Sequence, residues 1–378
     1  MTNKNFRIFN YSFKNQNEII SPFFNTNQKT ICYLADINYF KYMSVSIESY
    51  IKSNKFLDKK TEIIVITDQQ NEKEFLKLSS ISLDYFFTFI VIDNDVDFKK
   101  FSKWGWNKKW TGLIFCKLIV TGNSFKEFEK ILFVDCDCMF LQDVSELWEI
   151  DLGNIPIAGV NDFPSINLKI LSKTFTDIEK YNYEIRKELL NNLTCKIDYF
   201  YYLKNVIKVN NLEYINGGII LFNCKHTEDF SNPKSWLKDL LVLEQDMINI
   251  VFKKKKILSP IYNYPFLNHE DLCTQINCMI SEEYENLWKN SFKLKKIIHF
   301  YMTQKPWESM KLRKKDLYKT WFNLAKYSIY WKEIKREIKN NDAKRRKRFF
   351  SNIFSALKFI CSNISKINLN EFVDKIKT

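Results

Sequence analysis

Glycine and proline are scarce in this 378-residue chain, seven of each, which excludes collagen-like, Gly/Ser-linker and Pro-rich architectures. Such scarcity makes paired glycines informative, and Gly217 and Gly218 are adjacent. No apolar run reaches the roughly 18 to 20 residues needed to span a bilayer. The stretch MTNKNFRIFNYSFKNQNE lacks the apolar centre of a signal peptide, so a cytoplasmic location is expected. The nine cysteines include no CxxC pair, and Cys136 and Cys138 sit in an apolar strand, so reduced thiols are expected. What is plentiful is apolar and aromatic side chains, 46% and 16%, enough for one large core or two modest ones.

Charge is unevenly placed. From Lys293 to Thr378, 23 basic residues face 7 acidic ones, more than the whole surplus of +14, so the rest of the chain is close to neutral. A nucleic-acid enzyme needs cations around its groove, whereas a near-neutral body with a cationic end suits docking on an anionic surface, and no nucleic acid is expected.

Residues 1–28 are polar and read as a loosely ordered lead-in. From Thr30 strands and helices alternate: ICYLAD, a helix with Met43, Ile47, Tyr50 and Ile51 on one face, EIIVIT (62–67), a helix near 71–80, and FFTFIVID. That alternation predicts an α/β fold with a doubly wound, mostly parallel sheet. A tryptophan-rich loop (Trp104, Trp106, Trp110) and a helix over Leu113 to Val120 follow; the tryptophans fit either core packing or a flap that stacks on a ligand ring. Further strands fit ILFV, PIAGV (156–160), YINGGIILFN (214–223) and KIIHFY (296–301). Residues 163–213 read as a mainly helical insertion, and residues 311–378 as a basic helical extension.

The strongest local signal is Ile131-Leu-Phe-Val-Asp135-Cys-Asp137. Ligands of α/β sheets bind beyond the carboxyl ends of strands, and strand periodicity points Asp135 and Asp137 to one side. Two close carboxylates repel, and a hard divalent cation, Mn2+ or Mg2+, relieves this. Solvated aspartates at a strand end are the plain alternative. A haloacid-dehalogenase type of phosphatase also places two aspartates after an apolar strand, but usually has Thr or Val where this chain has Cys138. His299 ends an apolar strand six residues before Lys305, and an imidazole with a lysine would complete a diphosphate clamp. Asn216-Gly217-Gly218 marks a bulge or a close approach of backbone. LEQDMIN (243–249) reads as a helix start.

Taken in order, these residues resemble glycosyltransferase family 8, the group of glycogenin and bacterial lipopolysaccharide galactosyl- and glucosyltransferases. The resemblance runs from about Ile31 to Trp307. It implies a GT-A type, single Rossmann-like domain over 29–310 and metal-dependent, retaining transfer of glucose or galactose from a UDP-sugar. A glycan, glycolipid or protein would be the acceptor. On the family pattern, Ala35, Asp36 and Asn38 would face the uridine, and Lys117 would reach the donor. Asp135, Asp137 and His299 would hold the metal, with Lys305 on the diphosphate. Asn216, Gly217 and Gly218 match the acceptor-side strand. Gln245 matches the residue facing the anomeric carbon, and Glu244 and Asp246 are the nearest carboxylates. Two positions depart: Glu244 stands where the family commonly has Asp, and Met302 where glycine usually follows the closing histidine. A non-catalytic, basic binding protein using KRRKR (344–348) is the competing reading.

After KRRKR, Phe349, Phe350, Ile353, Phe354, Leu357, Ile360, Cys361 and Ile364 recur at helical spacing, predicting an amphipathic helix over 344–366. Cations before paired phenylalanines suit a helix lying on the inner face of an anionic membrane from about residue 340. An ordinary terminal helix docked on the body is the alternative.

Overall fold

The computed structural model describes residues 5–14, 19–24, 29–54, 61–93, 112–167, 202–233, 242–266, 276–301, 305–314 and 316–364, with Phe200, Trp236 and Leu240. The tryptophan-rich loop, most of the 163–213 insertion, Met302 and residues 365–378 lie outside them.

Eight strands form the main sheet: β1 (Phe6–Tyr11), β2 (Lys29–Leu34), β3 (Thr61–Thr67), β4 (Phe86–Ile92), β5 (Lys130–Val134), β7 (Ile157–Asn161), β8 (Ile215–Asn223) and β9 (Lys255–Leu258). Their spatial order is β1-β4-β3-β2-β5-β8-β7-β9. All neighbours are parallel except β8, which is antiparallel to both β5 and β7. A small second sheet joins β6 (Cys138–Phe140), β10 (Tyr264–Pro265) and β11 (Ile297–His299).

Every residue of β3 is buried, as continuous apolar strands covered on both faces require. Alternate residues feed two cores. Tyr33, Val65, Phe89 and Val134 face one layer with α1 (Phe40–Ser53) and α2 (Glu72–Ser79). Cys32, Ile64, Ile90 and Phe133 face the other with the segment Gly112–Thr121. A short α3 (Glu146–Glu149) follows β6, α4 (Leu243–Val251) packs on β8, and α5 (Glu282–Leu294), α6 (Asp316–Ala325) and α7 (Trp331–Ile364) complete the order. Asn71 caps α2 by accepting from Glu74 N–H at 3.2 Å, and Ser281 caps α5.

One element differs from the sequence expectation. Residues 6–11 are not a loose lead-in but an edge strand, and Arg7 is the reason. It donates to Thr88 and, at 2.9 Å, to the fully buried Glu62, whose other oxygen accepts from Phe23 N–H. The helix expected over Leu113 to Val120 is present as a 3-10 helix, Gly112–Thr121, with Leu113, Phe115, Cys116, Leu118, Ile119 and Val120 all buried. Lys117 is the charged exception among them.

α7 is one unbroken 34-residue helix, longer than the expected 344–366. Its first part is docked: Ile334 and Ile338 are fully buried, and Asp342 accepts from Ser309 and from Met310 N–H. Beyond it Phe349, Ile353 and Phe354 are exposed. No described helix is long and apolar enough to cross a membrane.

Candidate active site

β5 stops at Val134, and the chain turns at once, Cys138 N–H closing on Asp135 O at 3.1 Å before β6 begins. The two carboxylates are therefore neighbours because of a tight corner, not because a strand continues through them as expected. Asp135 N–H donates to Gly218 O at 2.8 Å, pinning the corner to β8. Phe300 N–H donates to Asp137 O at 3.0 Å, pinning it to the segment after β11. Cys136 donates its thiol to Leu34 O, which holds the corner beside the end of β2.

β11 runs antiparallel to β6 with His299 directly opposite Cys138. That register brings His299 Nε2 to 3.1 Å from Asp137 Oδ1 and 3.8 Å from Asp135 Oδ2. Lys305 donates to the other oxygen of Asp137 and to Phe300 O. Burial works to raise the Asp137 pKa, but Lys305 and His299 outweigh it and hold the carboxyl well below the usual range. Asp135 keeps a third of its side chain exposed (34%) while His299 keeps 3%, so the corner opens to solvent through Asp135.

Hydrogen bonding fixes the histidine tautomer. Gly218 N–H can only donate, so the Asn216 atom 2.9 Å from it is the carbonyl oxygen, and the Asn216 amide donates to Asp162 Oδ1 at 2.8 Å. Asn263 must then donate its amide to Asn216 Oδ1 at 2.9 Å, which turns its own carbonyl towards His299 Nδ1 at 3.0 Å. Nδ1–H thus donates to Asn263, and Nε2 faces the two carboxylates, donating to Asp137 when it carries a proton and offering a lone pair when it does not. A nitrogen lone pair and two carboxylates at one corner fit a divalent cation.

Gly218 has a packing reason to be glycine. A Cβ there would stand 2.1 Å from His299 Cε1, so the imidazole lies flat on the bare backbone.

The far wall is α4. Leu243 opens it at φ +43°, a left-handed conformation that costs a β-carbon residue energy, and Glu244, Gln245 and Asp246 after it are all buried. Glu244 takes a hydrogen bond from the fully buried Lys117 at 3.0 Å, and Lys117 also donates to Gly217 O and lies 3.3 Å from Asp135 Oδ1. Burial works against the Lys117 charge, but Asp135 and Glu244 outweigh it and raise its pKa. Burial pushes Glu244 up to about 7 against the pull of Lys117. Gln245 accepts from Gly217 N–H at 2.8 Å and donates to Tyr214 at 3.3 Å. Asp246 is fully buried, accepting from Tyr202, Tyr214 and Val242 N–H.

Ala35, Asp36 and Asn38 follow the carboxyl end of β2, next to the corner. Asp36 accepts from Asn38 N–H at 2.8 Å and Tyr39 N–H at 3.1 Å, heading the turn Ile37–Tyr39 that leads into α1. The structure thus gathers Asp135, Asp137, His299, Lys305, Lys117, Glu244, Gln245, Asn216, Gly217 and Gly218 at one sheet edge. Sequence reasoning missed Asp162 and Asn263. Asp162 is buried, its pKa raised to about 7 chiefly by burial, and it follows the apolar β7 as Asp135 follows β5, a signal that was present. Asn263 had no local signal.

The family model described as glycosyl transferase family 8 matches residues 30–311. General stress protein A of Bacillus subtilis (strain 168) is 25% identical over 186 residues, 49% of this chain and 54% of that protein. Among solved structures, the bifunctional glycosyltransferase WbbM superposes with a TM-score of 0.62 at 18% identity, covering 84% of this chain and 53% of that one. The galactosyltransferase LgtC, solved with donor and acceptor sugar analogues, superposes with a TM-score of 0.57 at 16% identity, covering 81% and 99%. This chain spans about half the length of the stress protein and of WbbM. At such identities the structural likeness speaks to fold, which is the GT-A type. The family match covers most of the sequence and every strand of the site's edge, and the chain belongs to glycosyltransferase family 8.

Proposed function

We propose that the protein is a metal-dependent retaining transferase that moves a hexose, glucose or galactose, from a UDP-sugar to a glycan, glycolipid or protein acceptor. The observation that carries this reading is the corner itself: two carboxylates, an imidazole Nε2 and a lysine converge beyond the carboxyl ends of β5 and β11. Asp135, Asp137 and His299 would hold Mn2+ or Mg2+, which when bound supplies positive charge to the diphosphate as it leaves.

The chain's own groups do the rest. Lys305, already held at the corner by Asp137, neutralises further phosphate charge. Ala35, Asp36 and Asn38 lie beside the corner, where the uridine would sit. Lys117 keeps Glu244 and Asp135 apart without repulsion, because its buried charge lies between them. Asp246 orients Tyr214, and Tyr214 orients Gln245, so the side chain matched to the anomeric carbon has one conformation.

We also assign a membrane-surface role to the end of α7. Support comes from five consecutive cations, 344–348, followed by the exposed Phe349, Ile353 and Phe354. The acceptor is then a glycolipid at an anionic leaflet.

The test is release of UDP from a panel of UDP-sugars by the purified protein with Mn2+. One donor should be hydrolysed slowly without acceptor, and chelation should stop it. Asp135→Ala and Asp137→Ala should each abolish it with thermal unfolding still cooperative. Full activity in excess chelator, or in either variant, refutes the metal clamp.

A further inference from the structure

The corner contains a ligand atom that the proposed clamp leaves idle. Cys138 is 2% exposed, and its thiol makes no hydrogen bond among the described residues, unlike that of Cys136, which donates to Leu34 O. A directly opposed antiparallel pair brings side chains about 4.5 to 5.5 Å apart at Cβ, and Cys138 is so paired with His299 across β6 and β11. As a result the Cys138 sulfur, an Asp137 oxygen and a His299 nitrogen all lie within 4.8 Å of one another. Asp135 Oδ2, 3.8 Å from His299 Nε2, stands beside this trio.

The chemistry of that set differs from that of the two-carboxylate clamp. Oxygen-only or oxygen-plus-imidazole sites suit hard ions such as Mn2+ and Mg2+. Adding a thiolate to an imidazole and a carboxylate makes a Cys-His-Asp set, which suits Zn2+ and its soft relatives. We infer that Asp137, Cys138 and His299 form a thiophilic metal site, selective for Zn2+ or Cd2+, that overlaps the hard-ion clamp and excludes it when filled. Binding replaces the thiol proton by the cation, the proton goes to solvent, and no electron changes hands. Because Asp137 and His299 serve both sets, the two ions compete, and Zn2+ is an inhibitor of any activity that depends on Mn2+.

The metal site itself does not rest on the sugar-transfer reading, and it is tested without donor or acceptor. Co2+, a spectroscopic stand-in for Zn2+, is titrated into the full-length protein and the near-ultraviolet thiolate-to-cobalt absorption is followed. Wild type and Cys136→Ala should develop the band at one equivalent, and Zn2+ should bleach it. Cys138→Val, which keeps an apolar side chain of similar size in β6, should show no band, with its melting temperature recorded to establish folding. Zn2+ affinity should fall by about tenfold or more in Cys138→Val, while Mn2+ affinity, read from the free-ion electron paramagnetic signal, should change by less than about twofold. A band that survives Cys138→Val, or vanishes in Cys136→Ala instead, overturns the assignment. So does equal loss of Zn2+ and Mn2+ affinity in folded Cys138→Val. If the cobalt band obeys these expectations while no UDP-sugar is hydrolysed with Mn2+, the soft site stands and the proposed transfer reaction fails alone.

Discussion

Replacing Gly218 by alanine places one methyl group against the imidazole on which the corner depends. The new Cβ would stand 2.1 Å from His299 Cε1, 2.6 Å from Nδ1 and 3.0 Å from Nε2. Carbon atoms at rest sit roughly 3.5 to 4.0 Å apart, so the ring must retreat by more than about 1 Å. β8 is fully buried and hydrogen-bonded on both sides, so the displacement falls on His299. The ring cannot move that far and keep its 3.0 Å bond to Asn263, and metal ligation tolerates only about 0.2 Å. Gly218→Ala should therefore raise the Mn2+ concentration for half-maximal UDP release by about 100-fold, and overpacking should cost about 1–3 kcal/mol of stability. Gly217→Ala is the control, because its Cβ meets Gln245 Cβ at 3.3 Å and Glu244 Oε1 at 3.4 Å, contacts that small shifts relieve. A double-mutant cycle isolates the cause: in a His299→Ala background, where the ring is gone, Gly218→Ala should cost almost nothing further in Mn2+ affinity. Wild-type Mn2+ dependence in Gly218→Ala, or full additivity with His299→Ala, would refute the reasoning.

Lys117→Met strands the carboxylates of Glu244 and Asp135 without their buried cation and should lower stability by about 3–5 kcal/mol, read as a large fall in melting temperature. Gln245→Ala should slow turnover far more than it weakens UDP binding, and equal losses would move Gln245 to the nucleotide. Burial raises Glu48 on α1 to about 7 from an ordinary 4.5, with a Ser328 hydrogen bond pulling the other way. The fold prefers its neutral form, so its contribution is full below pH 4.5 and is lost as pH rises through 7. Glu48→Gln should then be more stable than wild type at pH 8 by about 1 to 3 kcal/mol, and no different at pH 4. Removing residues from Lys344 onward should leave melting and donor hydrolysis nearly unchanged, since the Arg345–Glu308 pair that it deletes is solvent-exposed, and should abolish co-sedimentation with anionic vesicles at low salt.

Strands β2 to β5 and β8 were legible in the sequence because apolar runs covered on both faces have no other stable reading. β1 was not, because its alternation FRIFNY is masked by polar residues around it and its order depends on Glu62, 55 positions away. The carboxylate pair was legible as a pair, but not its cause, since a turn after Val134 leaves no local signature beyond the aspartates themselves. Asp246 reads as a nearby carboxylate in LEQD, and the two tyrosines that donate to it could not be read from that stretch. Asn263 orients His299 from 36 residues away, a relation that only the pairing of β10 with β11 creates.

The separation of the clamp's two halves along the chain has a consequence for how the protein is made. His299 is 162 residues beyond Asp137. At synthesis rates of about 5–20 residues per second, the two reach the solvent roughly 8 to 30 seconds apart. The parallel strands β4, β3, β2 and β5 are all synthesised before that interval opens, and β8 can then join β5 within it. β6 has no such early partner, because β11 is its only neighbour in the small sheet. A nascent chain stalled before residue 297 therefore displays Asp135, Asp137 and an unpaired strand edge without the imidazole that closes over them. Completion of the corner is therefore late in synthesis, after every strand of the main sheet has been made.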